Sequence, residues 1–151
     1  MMVFIGIDPG KTGSITVLDE KEGTVNIASM PKTIAEMQDV FDSICSNRNM
    51  NELYAVLEQV HSMPGQGVAS CFTFGKAYGW LQAMLAAHHI KTIEITPQKW
   101  MKLIGVLPKD KHARKVAIQD WVQKRIGRAC GLGVADGVAL AILCKEIWGL
   151  K

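Results

Sequence analysis

Three apolar runs in this chain of 151 residues each meet a carboxylate at one end. Val3-Phe4-Ile5-Gly6-Ile7 stops at Asp8, and Tyr54-Ala55-Val56-Leu57 stops at Glu58. Asp136 opens the stretch Gly137-Val138-Ala139-Leu140-Ala141-Ile142-Leu143. Such short apolar runs belong in a core, and a carboxylate at the end of a buried element is costly unless something positive pairs with it. Three that converge make an oxygen-lined pocket suited to a hard cation such as Mg²⁺, the starting point for metal-dependent phosphodiester chemistry. Each acid also has a plainer role to set beside that one. Asp8-Pro9-Gly10 is a good turn former by itself. Asp136 at a helix start stabilises the macrodipole by about 0.3–1 kcal/mol. Glu58, after Ala-Val-Leu in a strand pattern, suits an ordinary core poorly. The three together point to function.

Periodicity and turn residues lay out the elements between these acids. Residues 3–8 read as a buried strand, Pro9–Gly13 as a tight turn, Ser14–Leu18 as a returning strand and Thr24–Ala28 as a third. The chain therefore opens as an antiparallel meander. Thr33 or the residue beside it caps a helix through about Cys45, with Ile34, Met37, Val40, Phe41 and Ile44 on one face. Leu53–Glu58 is the fourth strand. A loop with Pro64, Gly65 and Gly67 leads into a long helix over 69–87, apolar on more than one side. Gly75 and Gly79 on it, amid Phe72, Phe74, Tyr78 and Trp80, fit a central core helix whose exposed part makes a two-fold dimer contact. Strand Thr92–Ile95 follows, then a short helix from Pro97 to Leu103, a helix over Lys109–Arg125 and a last one over Val134–Ile147. A meander followed by crossover helices gives an α/β fold, a mixed sheet with helices packed on it. With no repeat, low-complexity stretch or linker, 1–151 reads as a single domain.

The net charge is only +3, but residues 99–128 carry nine Lys/Arg against two acids, while 1–98 carry six against ten. Alone, such a segment reads equally well as a solvated helix face. Beside an acidic metal pocket it reads as a grip on a phosphate backbone. A composition of 48% hydrophobic and 21% charged residues argues against disorder. No apolar run approaches a membrane span, and the N-terminus lacks the layout of a secretory signal. Cys45, Cys71, Cys130 and Cys144 form no CxxC pair or metal-ligand spacing, so they read as reduced thiols in a cytoplasm-like compartment. Gly10-Lys11-Thr12 is not a Walker A loop, because the required glycine five positions earlier is Ile5. The loop is closer to the first phosphate loop of actin-like ATPases, but those need a second domain to close on a nucleotide.

Three segments resemble the RuvC family of Holliday-junction resolvases in their order along the whole chain. They are Ile5-Gly6-Ile7-Asp8-Pro9-Gly10, Leu57-Glu58-Gln59-Val60 and Val134-Ala135-Asp136-Gly137-Val138-Ala139-Leu140-Ala141. Ile95-Thr96-Pro97-Gln98-Lys99-Trp100 is similar to that family's P-x-x-W/V-K helix start. The resemblance implies a ribonuclease H-like fold: a five-stranded mixed sheet, meander then parallel strands, flanked by helices. It implies that Asp8, Glu58 and Asp136 hold two Mg²⁺ or Mn²⁺ ions. It further implies a cytoplasmic homodimer that resolves four-way and other branched DNA junctions by paired nicks. Lys109, Lys111, Arg114 and Lys115 fall where the family keeps basic residues for DNA, Lys111 and Lys115 being favoured for phosphate contact, and Lys99 joins them as a DNA-contact candidate from the basic 99–128 segment. Two departures stand out. The family has a fourth metal-binding side chain where this chain has Gly133. His61 stands where the family often carries an aromatic residue able to stack on a junction base. The departure at Gly133 keeps open a weak or inactive junction-binding protein, and a nuclease acting on RNA or on general branched DNA is a further alternative.

Overall fold

The computed structural model of the chain describes residues 1–62, 64–106 and 108–149, so the expected loop is described except at Met63. Strands β1 (Val3–Asp8), β2 (Ser14–Asp19) and β3 (Thr24–Ser29) form the expected meander. Helix α1 (Ile34–Cys45) crosses to β4 (Leu53–Glu58), and α2 (Val68–Ala87) crosses to β5 (Lys91–Ile95). Helices α3 (Pro97–Leu103), α4 (Lys111–Ile126) and α5 (Ala135–Trp148) complete the chain. The strand order is β3-β2-β1-β4-β5. β1 runs antiparallel to β2 and parallel to β4, so the sheet is mixed as the sequence predicts.

Side chains alternate across a strand, and the two faces carry two separate cores. Ile5, Ile7, Ala55 and Leu57 pack with Met37 and Phe41 of α1 and Leu81 and Leu85 of α2. Phe4 and Val56 pack on the opposite face with Trp100, Ile118, Val122 and the apolar body of α5. With both faces covered, β1 is apolar from Val3 to Ile7 rather than alternating. α5 is buried from Gly137 through Cys144, which explains why its sequence has no polar side.

Two expectations change. Helix α4 starts at Lys111, two residues late, because the Asp110 carboxylate accepts from the Ala113 N–H at 2.8 Å and caps it there. Lys109 therefore precedes the helix. α2 is core only in its second half, at Leu81 and Leu85. Its first half carries Val68 at 87% and Phe72 at 70% exposure, and a Cβ on Gly75 or Gly79 would meet nothing. The central helix is α5. All four cysteines are free thiols. No described helix is long and apolar enough to cross a membrane.

Candidate active site

Parallel pairing of β1 with β4 aligns Ile7 with Leu57, so the next residues, Asp8 and Glu58, leave the sheet side by side. By strand alternation both belong to the face that carries Phe4, Val56 and α5. The third acid arrives there because α5 lies almost backbone to backbone on β1. A Cβ built on Gly6 would lie 2.1 Å from the Ala141 nitrogen and 2.3 Å from the Gly137 oxygen. Gly137 in turn rests on β2, where an added Cβ would come within 2.3 Å of Ser14 Oγ. Glycine at both positions lets the helix settle deep enough to bring Asp136 to the ends of the strands.

The electrostatics of the three acids are coupled. Burial, together with the charges of Asp8 and Asp136 and against the Trp100 hydrogen bond, raises the Glu58 carboxyl from its ordinary 4.5 to about 7. Burial, then Asp8, raises Asp136 to about 6, with Lys115 and Arg114 opposing. Asp8 is also raised by burial, opposed by the Gly10 N–H at 3.1 Å and by Lys115. None of the three forms an ion pair within the described residues. Half-buried negative charge without a bonded cation fits a divalent ion in its chemistry: hard oxygen donors and an unbalanced field. The side chains are not drawn into a closed cage, however. Among the described residues no group of three His, Cys, Asp or Glu side chains is arranged to hold a metal.

A stability prediction follows from the raised values. Unfolded, Glu58 loses its proton near 4.5, but folded it keeps the proton to about 7. Its contribution to stability is fully present below the lower value and is lost as pH rises through the upper one. Kept free of metal, the protein is expected to melt lower at about pH 8 than at about pH 6, and Glu58→Gln to reduce that difference. Melting curves across this range decide; an undiminished pH dependence in the variant would contradict the assignment.

The expected DNA-contacting residues separate into groups. Lys115 and Arg114, on the first turns of α4, are the cations whose fields reach Asp136, and Lys115 also reaches Asp8. Lys111 is exposed at the start of the same helix. Lys109 contributes its carbonyl to Arg114 Nη1 at 3.0 Å, which holds that guanidinium at the helix entrance. Lys99 is exposed on the first turn of α3. His61 lines a cleft of about 250 Å³ with Ser62, Phe74 and Tyr78, between the end of β4 and α2. Gly133 is exposed, and a Cβ there would meet nothing. The sequence reading missed one partner of the site: the indole Nε1 of Trp100 donates to Glu58 Oε2 at 2.7 Å. The tryptophan three residues after a helix-starting proline was visible, but not its direction.

No protein-family model and no curated protein matches the sequence. Solved structures do. Thermus thermophilus RuvC in complex with Holliday junction substrate aligns over 98% of this chain and 97% of its own, with a TM-score of 0.67 at 14% identity. This chain has the RuvC fold. A second Thermus thermophilus RuvC structure aligns over the same shares with a TM-score of 0.64 at 15% identity. The expected ribonuclease H-like, five-stranded mixed sheet is thus the observed architecture. On the RuvC fold, Asp8, Glu58 and Asp136 occupy the ends of β1 and β4 and the start of α5.

Proposed function

We propose that the protein is a homodimeric, divalent-metal-dependent endodeoxyribonuclease that nicks four-way and other branched DNA junctions in pairs. The observation that carries this reading is the meeting of three electrostatically coupled carboxylates, without bonded counter-ions, with the cations of α4. The fold adds support, since one of its solved neighbours is a RuvC bound to Holliday junction substrate. Asp8, Glu58 and Asp136 would hold Mg²⁺ or Mn²⁺. When bound, such ions supply Lewis-acid assistance for phosphodiester hydrolysis.

The chain's own residues do the rest. Lys115 and Arg114 draw a backbone phosphate toward the carboxylates, and Lys111, Lys109 and Lys99 extend the basic flank along the strand. His61, in the cleft beside the end of β4, stacks on an unpaired junction base. The apolar first half of α2 is the favoured two-fold contact, because an exposed patch of that kind marks an interface. Two copies so related match the approximate two-fold symmetry of a four-way junction. The cytoplasm is the compartment in this reading.

The test is incubation with labelled four-way junction, flap, duplex and RNA–DNA hybrid in Mg²⁺ and in Mn²⁺. Paired, metal-dependent nicks in the junction are expected; preference for the hybrid would overturn the resolvase assignment. A second reading, a junction binder without useful catalysis, draws on the open Gly133 position and on the carboxylates not being gathered into a cage. Intact, retained junction in both metals would favour it.

A further inference from the structure

We infer that Trp100 is a positioning residue for Glu58, its indole N–H fixing one carboxylate oxygen while leaving the negative charge available to a divalent cation. The inference rests on the reading of Glu58 as a metal-holding group and adds a residue to it. A half-buried carboxylate needs a partner, and the choice of partner has consequences. A lysine or arginine at hydrogen-bond distance would cancel the charge and compete with a metal ion. An indole contributes one N–H, no acceptor and no charge. It therefore orients the carboxylate without neutralising it.

The geometry around this bond is rigid on both sides. Trp100 is 0% exposed and packs in the core shared with Phe4, Val56 and α5. Its backbone N–H donates to the Thr96 carbonyl at 3.1 Å, in a helix whose entry is fixed by the Thr96 cap and by Pro97 in the first turn. Glu58 sits opposite Ile95 on β5, and the Gln59 N–H bonds the Ile95 carbonyl at 2.8 Å. Five residues of chain thus tie the donor to the strand that flanks its acceptor. At 2.7 Å the indole bond lies at the short end of the N–H···O range. Groups that orient metal ligands in this way are worth roughly 10–100-fold in metal affinity.

Trp100→Phe removes the N–H and keeps an aromatic ring in the core. Calorimetric titration with Mn²⁺ should show about 10-fold weaker binding in this variant, and junction nicking should need correspondingly more Mn²⁺ while recovering at saturation. Ile118→Val, in the same core but on α4, should melt lower and yet bind Mn²⁺ as the parent does. Parent-like Mn²⁺ binding in Trp100→Phe, or equal weakening in Ile118→Val, overturns the assignment of Trp100 while leaving the nuclease reading intact. A parent protein that neither takes up Mn²⁺ nor nicks the junction overturns both. Should Trp100→Phe fail to fold, the unmodified protein still decides. Its Trp100 indole resonance should move on saturation with Mg²⁺, and a stationary signal refutes the inference.

Discussion

Asp8→Asn is expected to reduce metal-supported nicking of a four-way junction by ~10³-fold or more, the equivalent of about 4 kcal/mol of lost transition-state stabilisation. The substitution is nearly isosteric, and the amide oxygen still accepts from Gly10, so the turn after β1 survives. What disappears is one of three charges a cation would bind, on the acid that both Glu58 and Asp136 feel. Junction binding should persist or tighten, since the basic flank is untouched and less negative charge faces the phosphates. The metal-free variant should also melt higher than the parent, because burial already disfavours the charged form of Asp8. Lost binding together with lost cleavage, or unaltered cleavage, would count against the proposed role.

Gly6→Ala should be strongly destabilising. The new Cβ would sit 2.1 Å from the Ala141 nitrogen, 2.3 Å from the Gly137 oxygen and 2.7 Å from the Leu140 carbonyl carbon. All three are backbone atoms of the most buried helix, so no side chain can rotate aside. Overpacking a core typically costs about 1–3 kcal/mol, and a clash with backbone belongs at or above the top of that range. At about 2–4 °C per kcal/mol, the melting temperature should fall by roughly 6–12 °C. Lifting α5 also displaces Asp136, so activity should fall further than the unfolded fraction alone explains. Thermal denaturation alongside nicking at a temperature where both proteins are folded tests each half; a drop of under about 2 °C would refute the backbone contact.

Most of the fold was legible because burial and alternation obey short-range rules. Val3–Ile7 and Tyr54–Leu57 read as apolar strands, and the structure sets their terminal acids on adjacent parallel strands. The start of α4 was misplaced because the helix-forming pattern extends back through Lys109 and Asp110, while a single cap fixes the boundary. α2 is core only in its second half, and a helix apolar on more than one side does not reveal in sequence which part is covered. Site residues were legible as residue types but not as geometry. Nothing in the order Thr96-Pro97-Gln98-Lys99-Trp100 reveals that an indole bonds Glu58, since that depends on how α3 leaves β5. Nor does spacing tell how tightly three carboxylates gather.

The parallel pairing of β1 with β4 carries a further consequence for how such a molecule comes to life. Its three acids lie on segments separated first by about fifty and then by nearly eighty residues of chain, and the last belongs to the final helix. Contacts so distant in sequence carry a large loop-closure cost and form slowly. Any partly folded form that has zipped only the N-terminal hairpins lacks two of the three carboxylates. On the proposed reading, the place for a metal ion is complete only once the sheet and α5 have come together.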